Sequence, residues 1–230
     1  MDKGRKLKKL IQSRRGIIFD FDGLLVDSEP FHYKAYNAVF QEYGHTINQD
    51  EYWIEFTSKG KGAQGEIDRY KLKGLDPNEI RKKKFIVYSE FCRNGDICFF
   101  PLAARLIHSA ELAGYKLAIA SGSRNEDIRT ILDLNGYGNT FHLIMGKESA
   151  QKEKPAPDIF IKTAEILGIE PDKLVVLEDA EKGLKASKEA GIPCVIVRNK
   201  LNQNLEFQDA DFVCENLEEV AEAIENSGHL

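Results

Sequence analysis

Two aspartates that end an apolar run are the residues of this chain best suited to chemistry. In the segment IIFDFDGLLVDSEP, residues 17–30, Asp20 and Asp22 follow three apolar residues and are separated by Phe21. Residues two apart in an extended chain point to the same side, so both carboxylates can face one site. Such a pair repels unless a proton or a cation compensates it. A hard divalent ion such as Mg²⁺ suits these oxygen ligands, commonly with a phosphate completing its shell.

A second acidic pair, Glu178 and Asp179, ends another apolar run, KLVVL at 173–177. This pair can supply the remaining oxygen ligands for a cation held by Asp20. Acids at the ends of strands can also simply meet solvent. Two pairs at the ends of two predicted buried strands favour a metal and phosphate site over that alternative.

Short apolar runs predict the buried strands that position these acids. They are bounded by charge or glycine and lie at 16–19, 116–121, 142–145, 173–178 and 193–197. Helical patterns lie between them at 125–135, 157–167 and 181–190, each followed by a glycine that ends the helix. Alternation of strand and helix predicts an α/β fold with a doubly wound parallel sheet, whose ligands bind beyond the carboxyl ends of the strands.

The segment 31–98 interrupts this alternation. It is aromatic and charged, it has helical patterns at 31–43 and 77–93, and it contains no good candidate for a strand. We predict a small all-helical domain inserted after the first strand, so that the core domain comprises 15–30 and 99–230.

The first fourteen residues form a basic extension to this core. Seven Lys or Arg lie in the first fifteen residues against one acid, Asp2, whereas the net charge of the chain is −5. Such an arm could touch a membrane or nucleic acid, but a solvated, partly helical overhang is the simpler expectation. The acidic total gives no sign of a nucleic-acid partner.

No apolar run approaches the length of about 20 residues that a membrane helix needs, and no secretion signal is visible. The cysteines lie far apart among apolar residues, so we expect buried free thiols in a reducing compartment. These features predict a cytoplasmic protein without membrane partners. The cysteines are Cys92, Cys98, Cys194 and Cys214.

Four motifs in order resemble those of the haloacid dehalogenase-like (HAD) superfamily. DFDGLLVDSEP resembles its first motif, D-x-D-G-x-x-x-D-[ST], and SGS at 121–123 resembles its second. Lys154 in KEKPAPDIF resembles the third, and LEDAEKGLKAS at 177–187 resembles the fourth, with Ala180 where the family often has serine. The resemblance covers essentially residues 15–214 and implies a Rossmann-like HAD core, with the insertion as its helical cap.

The resemblance also implies roles for these residues. Asp20 is the expected nucleophile that forms an aspartyl phosphate, and Asp22 the expected general acid and base. Lys154 is expected to neutralise charge between nucleophile and phosphate, while Ser121 and Gly122 bind phosphate oxygens. The expected Mg²⁺ ligands are Asp20, the carbonyl of Asp22, Glu178 and Asp179.

These motifs imply a Mg²⁺-dependent phosphatase for small phosphorylated metabolites such as sugar phosphates. A phosphomutase resembling β-phosphoglucomutase is the alternative, because His32 and Lys84 fall where that mutase carries cap residues. Arg124 and Asn125 fall at positions similar to substrate contacts. The arginine with which the mutase grips a second phosphate is missing, since Ala63 lies at about that place and only Lys59 and Lys61 are near.

A non-catalytic phosphate-binding or interaction protein is a third possibility, against which the complete acidic set argues. We expect a monomer whose partners are small phosphate esters rather than nucleic acids or membranes.

Overall fold

The computed structural model describes residues 3–58 and 60–225. The chain divides into two compact units. Unit 1 comprises Met1–Asp27 and Phe99–Leu230, and unit 2 comprises Ser28–Cys98.

One parallel sheet organises the described part of unit 1. Its order is β3-β2-β1-β4-β5-β6, so the direction in which strands are added reverses beside β1. In doubly wound sheets this reversal opens a crevice at the carboxyl ends of the strands. The strands are β1 (Gly16–Phe19), β2 (Lys116–Ala120), β3 (Leu143–Met145), β4 (Leu174–Glu178), β5 (Cys194–Val197) and β6 (Phe212–Cys214).

The predicted doubly wound fold is therefore confirmed, with strand ends within a residue or so of those expected. β1 and β4 are buried along their whole length, which explains why their sequences are continuous apolar runs. Strand β6 was not predicted from the sequence.

Helices α7, α8 and α9 match the three helical patterns predicted between the strands, whereas α6 and α10 were not predicted. The α-helices of the described residues are α1 (Lys3–Gln12), α2 (Glu29–Gln41), α3 (Gln49–Tyr52), α4 (Gly62–Tyr70), α5 (Pro77–Asn94), α6 (Pro101–Leu112), α7 (Asn125–Leu134), α8 (Asp158–Leu167), α9 (Glu181–Glu189) and α10 (Leu217–Glu225).

The described part of unit 2, residues 28–58 and 60–98, is helical and contains no strand. It consists of α2 to α5 with a π-helical segment, Trp53–Ser58, after α3. Its own core packs residues from successive helices together, including Val39, Phe40, Tyr52, Ile67 and Ile80.

The chain leaves unit 1 and returns to it at one place. Val26 and Phe99 form an antiparallel bridge, and the amide of Phe100 donates to the carbonyl of Leu25 at 2.9 Å. The ring of Phe99 packs edge-on against Phe21, with 6.2 Å between the centroids. Both connections to unit 2 are therefore fixed beside each other on the core.

The basic N-terminal segment is not the solvated overhang that we expected. It forms α1, which contacts α10 and buries Leu7 and Ile11 at 2% and 0% exposure. Leu7 and Ile11 are four residues apart, so they lie on one face of the helix, while Arg5 and Lys9 are exposed. The helix is amphipathic and belongs to the core of unit 1.

Replacement of Ile11 by alanine tests this assignment. We expect the free energy of unfolding to fall by about 2–5 kcal/mol, as for other buried isoleucines. Urea denaturation measures it, with Lys9→Ala, on the exposed face of the same helix, as a control expected within about 0.5 kcal/mol of wild type. Equal stability of the two variants would contradict a docked helix.

Three cysteines are buried as predicted, but Cys98 is exposed, which corrects the expectation for that residue. Cys98 ends unit 2 in the returning connection, where the chain runs over the surface. No helix within the described ranges combines the length and hydropathy that a membrane span requires.

Candidate active site

Asp20 lies at the carboxyl end of β1, where its carboxylate is bound by Lys154, a lysine whose side chain is 5% exposed. Its own amide donates to the carbonyl of Leu177 at 2.9 Å, which continues the pairing of β1 with β4. Lys154 Nζ donates to Asp20 Oδ1 at 2.7 Å, to Glu178 Oε1 at 2.8 Å and to the carbonyl of Ala120 at 2.9 Å. One ammonium group thus joins the ends of β1, β2 and β4.

Burial and close charges shift the pKa values of Asp20 and Lys154. Burial, and then the charge of Glu178, raise the pKa of Asp20 to about 7, although Lys154 acts in the opposite direction. Burial alone would lower the pKa of Lys154, but the charges of Asp20 and Glu178 outweigh it, so this pKa lies above its ordinary value. Lys154 therefore carries its full charge at neutral pH.

Both carboxylate oxygens of Glu178 accept hydrogen bonds. Oε1 accepts from Lys154, while Oε2 accepts from the backbone amides of Asp179 and Ala180 at 2.9 Å each. Gly183 in α9 lies against this carboxylate so closely that a Cβ built on it would overlap the Glu178 side chain. The glycine is required for space.

Replacement of Gly183 by alanine should therefore destabilise the protein, although alanine is the better helix former. Glu178 can yield to the new methyl group only by giving up hydrogen bonds, and we expect a loss of about 1–3 kcal/mol in the free energy of unfolding. Gly4→Ala is the matched control, because Gly4 is also near the start of a helix and its added Cβ meets nothing within 4 Å. Thermal unfolding should show opposite signs for the two variants.

The donor set fits a hard cation. Asp20, Glu178 and Asp179 each offer a carboxylate oxygen, and these atoms lie within 4.8 Å of one another. Oxygen donors of this kind suit Mg²⁺. The carboxylate of Asp22 is not part of this cluster.

The carboxylate of Asp22 instead faces the loop after β2. Its Oδ2 accepts from Ser121 Oγ at 3.0 Å and from Ser123 Oγ at 2.7 Å. The amide of Ser123 donates to Ser121 Oγ at 2.9 Å, so the two hydroxyl groups and Asp22 form one network. Ser123 was expected to contribute only its backbone amide, as part of the SGS turn, so the role of its side chain was missed. Gly122 lies between the two serines and is exposed, with no atom within 4 Å of a built Cβ.

Two asparagines after β5 were also missed. Asn199 Nδ2 donates to Asp179 Oδ2 at 2.7 Å and to the carbonyl of Gly23 at 3.0 Å. Asn202, which is buried, donates to the carbonyls of Asp179 and Val197 at 2.8 and 3.0 Å. The one signal in the sequence is polar residues after a strand end, the same signal that revealed the acids.

Arg124 and Asn125 make their contacts with protein groups. Arg124 forms a two-pronged ion pair with buried Asp127, at 2.9 and 3.1 Å. Asn125 Oδ1 accepts from the amide of Gly146 at 2.7 Å, and Nδ2 donates to Ser149 Oγ at 3.2 Å. The Asn125 contacts join α7 to the loop after β3, whereas the Arg124 pair is local to the start of α7. Neither by itself supports the substrate contacts that we expected.

His32 and Lys84 meet inside unit 2. The Lys84 ammonium donates to His32 Nδ1 at 2.8 Å, and the imidazole stacks on Tyr88 with 4.0 Å between ring centroids. Lys84 is 4% exposed, unlike its neighbours in the lysine run. Lys61 pairs with Glu55 at 2.7 Å, and Lys59 lies outside the described residues.

The chain is similar to known proteins over most of its length. The family model for haloacid dehalogenase-like hydrolases matches residues 17–197. The chain is 31% identical to Protein SUPPRESSOR OF QUENCHING 1, chloroplastic, of Arabidopsis thaliana over 81% of its own length, but it spans only 18% of that protein. It is 30% identical to fructose-1-phosphate phosphatase YqaB of Escherichia coli over 80% of this chain and 96% of YqaB. A crystal structure of mutant CbbY from Rhodobacter sphaeroides with xylulose-(1,5)bisphosphate superposes with a TM-score of 0.75, at 26% identity, covering 89% of this chain and 95% of that one.

Proposed function

Because the chain belongs to the haloacid dehalogenase-like hydrolase family, we propose that it is a Mg²⁺-dependent phosphatase acting through a covalent intermediate on Asp20. It is a hydrolase of small phosphate monoesters, and we take sugar phosphates as its substrates because YqaB and CbbY are named with such compounds. The observation that carries the proposal is the joining of Asp20, Lys154 and Glu178 at one end of the sheet, through contacts of 2.7 and 2.8 Å.

In the first step, a carboxylate oxygen of Asp20 attacks phosphorus, and the bond from phosphorus to the leaving oxygen breaks. Asp22 gives its proton to that oxygen, so the alcohol leaves neutral. The charge that develops on the phosphoryl oxygens is offset by Lys154 and by the hydroxyl and amide donors of the 121–123 loop.

In the second step, water attacks the phosphorus of the aspartyl phosphate and gives its proton to Asp22. The acyl phosphate bond breaks, inorganic phosphate is released and Asp20 is regenerated. Mg²⁺, when bound, would neutralise charge on the phosphate and on the acidic ligands. We assign its protein ligands to the carboxylates of Asp20, Glu178 and Asp179 and to the backbone carbonyl of Asp22.

Phosphate relocation within a sugar is the second candidate. It is favoured by the buried pair of His32 and Lys84, which occupy the positions at which the sequence resembles β-phosphoglucomutase. It is disfavoured by Ala63, a buried alanine at about the position where that mutase needs an arginine for a second phosphate. Hydrolysis requires the protein to bind only one phosphate group, so the missing arginine favours a phosphatase.

A phosphate-release screen tests the proposal. Sugar phosphates and nucleotides are incubated with the protein, with Mg²⁺ or with EDTA, and an Asp20→Asn preparation gives the background of contaminating phosphatases. We expect Mg²⁺-dependent release that is strongest for sugar phosphates. Each reaction is repeated with β-glucose 1-phosphate and a glucose bisphosphate primer.

The products separate the candidates. Glucose 6-phosphate without free phosphate would establish the mutase. Neither product above the Asp20→Asn background, from a folded protein, would favour the non-catalytic alternative.

A further inference from the structure

Asn199 connects loops that carry residues of the proposed reaction. It follows β5, and its amide nitrogen reaches both the Asp179 carboxylate, at 2.7 Å, and the carbonyl of Gly23, at 3.0 Å. Gly23 belongs to the turn directly after the two aspartates of the first motif. One side-chain amide thus connects the loops after β1, β4 and β5.

The orientation of this amide is determined by its surroundings. Its Oδ1 accepts from the backbone amides of Leu201, at 2.8 Å, and Asn202, at 3.1 Å. The side chain therefore places oxygen against two donors and nitrogen against two acceptors. A flipped amide would place its nitrogen against two donors and its oxygen against two acceptors. The hydrogen-bond network therefore determines which atom is Oδ1 and which is Nδ2.

The Asp179 carboxylate has little room around this link. Gly23 has a φ of +76°, and a Cβ built on it would lie 2.5 Å from Asp179 Oδ2 and 3.5 Å from Asn199 Nδ2. Asn202 holds the backbone of the same aspartate through its carbonyl, at 2.8 Å. Asp179 is thus held at its backbone carbonyl by Asn202 and at Oδ2 by Asn199. Rotation of the carboxylate about the bond that joins it to the side chain would break the hydrogen bond to Asn199.

We propose that Asn199 is a positioning residue for the cation site, which it serves by orienting Asp179 and tying it to the turn that follows Asp20 and Asp22. This inference rests on the proposed function, because it takes Asp179 as a Mg²⁺ ligand. Partners that orient a ligating carboxylate typically contribute about 10–100-fold to metal affinity. Loss of Asn199 should act on cation binding and leave the chemical step nearly intact.

Replacement of Asn199 by serine separates positioning from loop structure. A serine hydroxyl can still accept from the amide of residue 201, as in a local turn, but it is too short to reach Asp179 and Gly23. Asn204→Ala is the control, because Asn204 is exposed in the same loop. Asp179→Asn marks the loss of the ligand itself.

Isothermal titration with Mg²⁺ alone, without substrate, measures the effect. We expect about 10–100-fold weaker binding in N199S, unchanged binding in N204A, and thermal unfolding of metal-free N199S close to that of wild type. In phosphatase assays, the Mg²⁺ concentration for half-maximal rate should rise in proportion, while kcat at saturating Mg²⁺ stays within about threefold of wild type.

The outcomes distinguish the two proposals. Unchanged Mg²⁺ affinity in N199S would overturn the positioning role and leave the proposed function standing. Weaker binding matched by an equal loss in N204A would also overturn it, since the effect would then belong to the loop as a whole. A wild-type protein that bound no Mg²⁺ would overturn this inference together with the proposed metal dependence.

Discussion

Asp20→Asn is expected to lower phosphate release by at least about 10³-fold while leaving the protein folded. Asparagine has nearly the same size and can still accept from Lys154, but its amide oxygen is a poor nucleophile and cannot form the acyl phosphate. The remaining charged partner of Lys154, Glu178 at 2.8 Å, keeps the ammonium in an ion pair. Catalysis should therefore be lost without a matching loss of stability.

Single-turnover assays and urea denaturation check both halves of this prediction. Asp209→Asn, a substitution of the same kind at an exposed aspartate, should match wild type in both assays. Retention of more than a tenth of the wild-type rate in Asp20→Asn would show that another group attacks phosphorus. Trapping of phosphate on the wild-type chain, and not on the variant, would be the direct sign of the intermediate.

Lys154→Met should affect activity and stability together. Methionine fills most of the volume but leaves Asp20 and Glu178 as buried carboxylates without their cation, and loss of one partner of a buried pair typically costs about 3–5 kcal/mol. Activity should fall by about 10²–10³-fold or more, because the charge on the transferring group loses its main cationic partner. The control is Lys152→Met, at an exposed lysine two residues away.

The stability deficit of Lys154→Met should grow with pH. The pKa of Asp20 is already raised from 3.8 to about 7, and removal of the opposing cation raises it further. A carboxyl whose pKa is higher in the folded than in the unfolded state loses its stabilising contribution as pH rises from the unfolded value through the folded one. Urea denaturation of metal-free protein at pH 5 and pH 8 should thus show the larger deficit at pH 8, and a deficit independent of pH would contradict this account.

The strands and the acids could be predicted because each carries a local pattern. An apolar run that ends in two carboxylates reveals Asp20 and Glu178 without any knowledge of the neighbouring chain. Lys154 is different, since it lies in a charged run and was assigned by resemblance to a known motif. Its three contacts, with groups 134, 34 and 24 residues away, exist only in the folded chain.

Residues that act through contacts with distant parts of the chain were not predicted from the sequence. Asn199 is 176 residues from Gly23, and Ser123 is 101 residues from Asp22. Asn199 follows the end of β5 as the acids follow β1 and β4, but a polar residue after a strand end does not by itself reveal which distant group it contacts. The burial of Leu7 and Ile11 was visible in principle as an apolar pair four residues apart, but the seven basic residues around it favoured an exposed arm.

The bridge between Val26 and Phe99 has a consequence for how such proteins diversify. Because the two connections are fixed beside each other on the core, the intervening segment of some seventy residues is a closed excursion from the sheet. Insertions at such points destabilise the core domain little, because the two chain ends that the loop must join are already adjacent and the entropy of loop closure is small. Evolution can therefore lengthen, replace or delete the excursion while the strands of the sheet and the residues at their carboxyl ends stay unchanged.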